Sequence, residues 1–121
     1  MMTLEEFRVE MASYRQRAND EANALKDPYI ALEKLRALYV KFDDADRRMA
    51  DEVLSEWALS EDESLRFDAL ALIDDLKIGT ALPALQGLAK RLASSAEPGA
   101  PYELKKVHRI LAGLTTPGRA T

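Results

Sequence analysis

Apolar residues recur at steps of three and four along most of the chain, which is the spacing that gathers side chains on one face of an α-helix. Clusters of proline, glycine and short polar residues interrupt this pattern and mark the connections between helices. We predict an all-α fold, a short right-handed stack of about six antiparallel helices in one domain over 1–114. The predicted elements are a capping helix over 3–26, helix pairs over 28–59 and 60–94, a closing helix over 101–114 and a flexible tail over 115–121.

Short polar residues predict where these helices begin. Thr3 with Glu6, and Ser60 with Glu63, have the spacing of a capping box, in which each side chain accepts a hydrogen bond from the other residue's backbone N–H. Further helix starts are predicted at Asp27-Pro28, at Asp43 or Asp44, and at Pro101.

The centre of the chain predicts a helical hairpin. Gly79 is expected to end the first helix, because glycine adopts the left-handed conformation without a Cβ clash. Thr80 is expected to cap the second helix, and Pro83 fits its first turn, where a missing N–H costs nothing.

An internal repeat supports this hairpin as the structural unit. A shift of 34 residues aligns the apolar face of the second helix with that of the fourth, and a further shift of 35 aligns the last helix with both. The aligned sets are Ala31, Leu35, Leu38, Tyr39 and Phe42; Leu65, Ala69, Leu72, Ile73 and Leu76; and Leu104, Val107, His108 and Leu111 against the last four of these.

The unit over 60–92 resembles a HEAT-type repeat. The first helix of that family carries an apolar residue, an arginine and an alanine followed by spaced leucines, and here it reads Leu65-Arg66-Phe67-Asp68-Ala69 with Leu72 and Leu76. The second helix of the family often has a proline in its first turn, as in Leu82-Pro83-Ala84-Leu85. The resemblance implies a stack of helix pairs and says almost nothing about function.

Composition excludes several classes of protein. A hydrophobic fraction of 47% and a charged fraction of 31% are those of a globular chain. There is no cysteine, which excludes disulfides, thiolate metal sites and a cysteine nucleophile. The first residues show no signal peptide, and no apolar run has the length of a membrane span, so we expect a soluble, cytoplasmic protein without membrane contact.

No group of residues predicts catalysis. His108 is the single histidine, and the repeat alignment places it on an inward-facing position. It has no neighbouring metal-ligand pattern, and the chain has no glycine-rich phosphate loop. We therefore expect no enzyme activity, no metal and no cofactor.

Charge is distributed unevenly along the chain. Residues 43–75, the acidic segment, contain twelve acidic and three basic side chains, whereas 76–121 contain two acidic and seven basic ones. Acidic residues in first turns favour the helix dipole, and a solvated surface explains others. Beyond the first turns, this segment predicts a surface that attracts a basic partner. The predicted partner-binding residues are Asp51, Glu52, Glu56, Asp68, Asp74 and Asp75, with Phe67 as an aromatic anchor.

Most aromatic residues lie on the apolar faces and fit the core, and the others do not. Tyr29, Phe67 and Tyr102 lie off the apolar faces, and an aromatic side chain beside acids is a frequent anchor of protein interfaces. The alternative for Phe67 is packing against an adjacent helix. Trp57 is a second possible anchor, although it lies on an apolar face, which favours a place in the core.

The leading hypothesis is a non-catalytic protein-binding module, most concretely an acidic immunity or antitoxin-type inhibitor of a basic toxin such as a nuclease. An adaptor or scaffold subunit is a variant of the same class. The alternative is a HEAT-like nucleic-acid-binding protein that uses a secondary basic cluster, Lys105, Lys106 and Arg109, but the acidic segment would repel phosphates. A homodimer is possible, because a short stack leaves apolar surface at its ends.

Overall fold

The computed structural model describes residues 2–27 and 29–115. Over these residues the chain forms helices and no strand, so the all-α prediction is confirmed. The helices are α1 (Leu4–Leu25), α2 (Tyr29–Val40), α3 (Asp44–Ala58), α4 (Glu63–Leu76), α5 (Leu82–Ala93) and α6 (Ala100–Thr115), with a short 3₁₀ turn over Gly79–Ala81 before α5.

The chain divides into two compact units, Met1–Val53 and Leu54–Thr121. The boundary falls inside α3, which therefore contributes residues to both units. The single domain over 1–114 and the right-handedness of the stack stay predictions.

In the first unit, α1 packs against α2. The predicted capping box at the start of α1 is confirmed: Thr3 Oγ1 accepts from the N–H of Glu6, and Glu6 Oε1 accepts from the N–H of Thr3. The Phe7 and Phe42 rings meet edge to face, with their centroids 5.1 Å apart. The buried residues of α1 and α2 are Phe7, Met11, Ala18, Ala22, Ala31 and Leu35.

In the second unit, α6 packs against both α5 and α4. Each helix of this unit can bury a stripe of large side chains against its neighbours. Such packing supplies most of the stability of a helix in a folded protein. The most completely buried large side chains of this unit are Leu54, Leu70, Ile73, Leu85, Leu88, Val107 and Ile110.

The cap of α4 differs from the sequence prediction, and the cap of α3 agrees with it. Asp62 caps α4 and accepts from the N–H groups of Ser64 and Leu65, whereas Ser60 accepts from the N–H of Asp62 outside the helix. The predicted Ser60–Glu63 capping box is therefore wrong, because a carboxylate two positions later reaches the free N–H groups better. Asp43 accepts from the N–H of Asp46 and caps α3, one of the two predicted alternatives.

The end of α4 also differs. Lys77, with φ 54°, takes the left-handed conformation that was predicted for Gly79. The helix ends early because this turn lets the N–H groups of Lys77 and Ile78 bond to the Ile73 carbonyl while Ile78 is buried. Thr80 does not cap α5: the N-cap is Ala81, without a side-chain hydrogen bond.

The last helix presents a different face from the one that the repeat alignment predicts. His108 is exposed, and the buried residues of α6 are Ala100, Val107 and Ile110. The observed face shares Val107 with the prediction, keeps Leu104 and Leu111 half-buried, and buries Ile110 where His108 was expected. Pro28 and the part of the predicted tail over 116–121 lie outside the described residues.

Candidate partner-binding site

An ion pair connects α4 to α6 and sets the geometry around it. Arg66 Nε donates to Glu103 Oε2 at 2.8 Å, and Arg66 Nη2 donates to Glu103 Oε1 at 2.9 Å. The two side chains are only 12% and 17% exposed. The hydrogen bonds from Arg66 hold the pKa of Glu103 below its ordinary value, although burial opposes this shift. This is a planar, two-point pairing of the kind that fixes orientation as well as distance.

Arg66 also holds the chain before α4. Its Nη1 donates to the backbone carbonyls of Ser60 and Glu61 at 3.0 and 3.2 Å. From α5, Arg91 donates to the carbonyls of Leu59 and Ser60 at 2.8 and 3.3 Å. Two arginines from different helices therefore fix the loop that connects α3 to α4.

A groove lies between α4 and α6 on one side of this ion pair. It has a volume of about 480 Å³, and its aromatic walls are Phe67, 50% exposed, and Tyr102, 80% exposed. We call it the aromatic groove; its lining residues are Glu63, Ser64, Phe67, Leu70, Gly99, Tyr102, Glu103 and Lys106.

A cation already occupies one wall of the aromatic groove. The Lys106 ammonium lies 4.3 Å from the centroid of the Phe67 ring, a cation–π contact. Lys106 is half-buried there, and burial is the main cause that lowers its pKa. The ring is therefore a surface that attracts positive charge.

A second, more polar cavity adjoins the aromatic groove. This polar cleft encloses about 820 Å³ and shares Glu63, Gly99 and Glu103 with the groove. Its remaining walls are Leu59, Glu61, Arg66, Arg91, Leu92, Glu97 and Ala100. Both of its arginines are held by the contacts described above, whereas the carboxylates of Glu61, Glu63 and Glu97 belong to exposed residues. Glu63 is therefore an exposed acid of the aromatic groove itself, and Glu61 and Glu97 are exposed acids of the adjoining cleft.

The predicted acidic surface is distributed over α3 and α4. On α3, Glu52 and Glu56 are exposed one turn apart. Asp51 is half-buried, and its Oδ1 accepts from the Tyr39 hydroxyl at 2.7 Å. Burial and this hydrogen bond raise the pKa of Tyr39 well above its ordinary value. Asp51 therefore has a structural contact of its own inside the first unit.

On α4, one of the predicted acids is not at the surface. Asp68 is 8% exposed and is one of the buried residues of the helix. The prediction that Asp68 belongs to an exposed acidic surface is therefore wrong. Asp74 is half-buried and contacts Lys77 and Arg109 at 3.4 and 3.5 Å. Asp75 is exposed.

The basic cluster is partly engaged in contacts within the chain. Arg109 pairs with Asp74, and Lys106 lies on the Phe67 ring, whereas Lys105 is exposed. Among the anchors, Phe67 is exposed as expected, and Trp57 is buried and is part of the core.

The residues that sequence reasoning missed are Glu63 and Glu103 as the acids of the groove and Tyr102 as its second aromatic wall. The shift of 35 residues that aligned α6 with α4 also pairs Phe67 with Tyr102. This pairing could have predicted that both rings line one groove, because equivalent positions on two packed helices of a repeat can lie side by side. The partner of Arg66 had no such signal, since Glu103 lies 37 residues away.

Comparisons of this chain with protein-family models, with curated proteins and with solved structures found no match. The HEAT-type resemblance over 60–92 therefore stays a prediction. Within 2–27 and 29–115, none of the helices combines the length and the apolar character needed to cross a membrane.

Proposed function

We propose that this chain is a non-catalytic protein-binding module that docks a basic segment of a partner protein in the aromatic groove. The observation that supports the proposal is the pair of exposed aromatic side chains, Phe67 and Tyr102, on one open groove with acidic residues around it. Exposed large apolar side chains that share a concave surface are typical of interaction sites.

The aromatic side chains supply the affinity in this proposal. A phenylalanine or tyrosine buries roughly 150–250 Å² when it is fully covered, so a partner that covers both rings removes a large apolar area from water. The ion pair of Arg66 and Glu103 joins the two helices that carry the rings. A preformed groove costs less conformational entropy on binding than a surface that must rearrange.

The carboxylates supply the selection for a basic partner. Glu63 is exposed on the groove, Glu61 and Glu97 are exposed in the adjoining cleft, and Glu56 and Asp75 of the same unit are exposed as well. The negative field of these carboxylates accelerates the encounter with a positively charged protein and disfavours acidic ones.

The most concrete form of this proposal is an immunity or antitoxin-type inhibitor that covers a basic toxin such as a nuclease. An adaptor subunit with a basic ligand is the variant within the same class. Nucleic-acid binding is the weaker alternative, because Lys106 and Arg109 already have acidic or aromatic partners within the chain.

The test compares three variants of the tagged full-length chain. Phe67→Ala and Tyr102→Ala each remove one wall of the groove, and Tyr29→Ala removes a similarly exposed tyrosine that does not line it. Partners are captured at low salt from a lysate of the native host, identified by mass spectrometry, purified, and measured by isothermal titration calorimetry.

We expect one basic protein whose affinity falls at least about tenfold with either groove variant and stays unchanged with Tyr29→Ala. Circular dichroism spectra that match the unsubstituted chain exclude unfolding as the cause. A partner that binds Tyr102→Ala and Phe67→Ala as tightly as Tyr29→Ala would contradict the proposal, and so would capture of nucleic acid alone.

A further inference from the structure

The position of Lys106 shows what kind of group the aromatic groove accepts. Its ammonium lies against the face of Phe67 at 4.3 Å from the ring centroid, where the negative face of the π-system meets the cation. The attraction is partly offset for an ammonium group, because a lysine head group is compact and strongly hydrated, and it loses part of its water there. Burial of the ammonium is the main reason why the pKa of Lys106 is lowered.

An arginine side chain fits the same position better. Its guanidinium is more weakly hydrated than an ammonium, and its planar form stacks on an aromatic ring. It also carries a fork of N–H donors that matches a carboxylate at two points.

The groove supplies a carboxylate for such a fork. Glu63 begins α4, is exposed, and lines the groove together with Phe67. Glu103, the other carboxylate in the groove, is already bound at both oxygens by Arg66. The pairing of Arg66 with Glu103 therefore leaves Glu63 as the acid that faces an incoming ligand.

We infer that the groove recognises an arginine side chain of the partner, which stacks on Phe67 in place of Lys106 and pairs with Glu63. Lys106 is then an internal competitor: it occupies the ring when no partner is bound, and it must leave when one arrives. This inference rests on the proposed function and names the chemical group through which the basic partner is selected.

The probe is N-acetyl-arginine amide, titrated into the ¹⁵N-labelled full-length chain and followed by amide chemical shifts. N-acetyl-citrulline amide has nearly the same shape without the charge, and N-acetyl-lysine amide has the charge without the planar fork. We expect saturable shifts at Glu63, Phe67 and Tyr102 with the arginine probe, weaker binding of the lysine probe, and no specific shifts with the citrulline probe.

The decisive comparison is between two lysine variants. Lys106→Met removes the internal competitor, and Lys105→Met removes the same charge from the exposed neighbouring position. If Lys106 competes for the ring, Lys106→Met binds the arginine probe about two- to fivefold more tightly than Lys105→Met does. Phe67→Leu and Glu63→Gln should each weaken binding by at least a similar factor.

Equal binding by Lys106→Met and Lys105→Met would overturn the inference, and so would equal shifts with the arginine and citrulline probes. This failure is distinguishable from failure of the proposed function. A captured partner that still requires Phe67 and Tyr102, while the arginine probe does not bind, removes only the arginine inference. Saturable arginine binding without any partner that depends on the groove removes only the protein-binding proposal.

Discussion

The ion pair between Arg66 and Glu103 provides the most quantitative prediction. Glu103→Gln keeps the shape of the side chain and removes its charge, while the Arg66 guanidinium stays mostly buried. Each hydrogen bond to a charged group contributes about 1.5–3 kcal/mol, and breaking a fully buried pair costs about 3–5 kcal/mol. The side chains are 12% and 17% exposed, so solvent screens part of this interaction. We expect Glu103→Gln to lower the free energy of unfolding by about 2–3 kcal/mol.

A double-mutant cycle separates the pairing from other losses. Arg66→Met, Glu103→Gln and the double variant should give a coupling energy of about 2 kcal/mol. The matched control is the pair of Arg109 and Asp74, which also joins α6 to α4 but at a single 3.5 Å contact with side chains 66% and 30% exposed. Its cycle, with Arg109→Met and Asp74→Asn, should give less than about 0.5 kcal/mol.

The assay is urea unfolding followed by tryptophan fluorescence. Trp57 is the single tryptophan, is buried, and belongs to the unit that contains both ion pairs. Equal coupling energies for the two pairs would refute the reasoning, because the difference in burial and geometry would then have no energetic consequence.

The same pair predicts a dependence on pH. The pKa of Glu103 is lowered in the folded chain, so its contribution is fully present above the unfolded value of 4.5 and is lost as pH falls through the lower folded value. Arg66 stays protonated throughout this range. The stability difference between the unsubstituted chain and Glu103→Gln should therefore be constant near neutral pH and shrink below pH 4.5. A difference that grows on acidification would contradict this assignment.

Two further predictions concern helix ends. Lys26 and Lys77 have φ values of 56° and 54°. Lys26→Gly and Lys77→Gly should each raise the free energy of unfolding in urea titrations by about 0.5–1 kcal/mol, because the Cβ strain of the left-handed conformation outweighs the added freedom of the unfolded chain. A loss of stability in both variants would argue against that backbone geometry. Asp62→Ala should lower the free energy of unfolding by about 1 kcal/mol and Ser60→Ala by less, because Asp62 accepts from two N–H groups of α4. The reverse order would restore Ser60 as the cap.

Local interactions made much of this molecule predictable from its sequence. Helices form through contacts within four residues, so apolar periodicity was sufficient to place six of them in the described residues. The Thr3–Glu6 cap followed from spacing alone, and the sequence limited the cap of α3 to Asp43 or Asp44, of which the structure selects Asp43. The exposure of Phe67 and Tyr102 was readable in the same way, since both lie off the apolar face of their helices.

Tertiary packing decided the rest, because the neighbours of a helix determine which of its faces is buried. Asp68 on α4 is buried, against the expectation from its charge, and His108 on α6 is exposed, against the expectation from the repeat alignment. The pairing of Arg66 with Glu103, and with it the groove between α4 and α6, depends on how two helices distant in sequence meet. Periodicity within one helix contains no information about that contact.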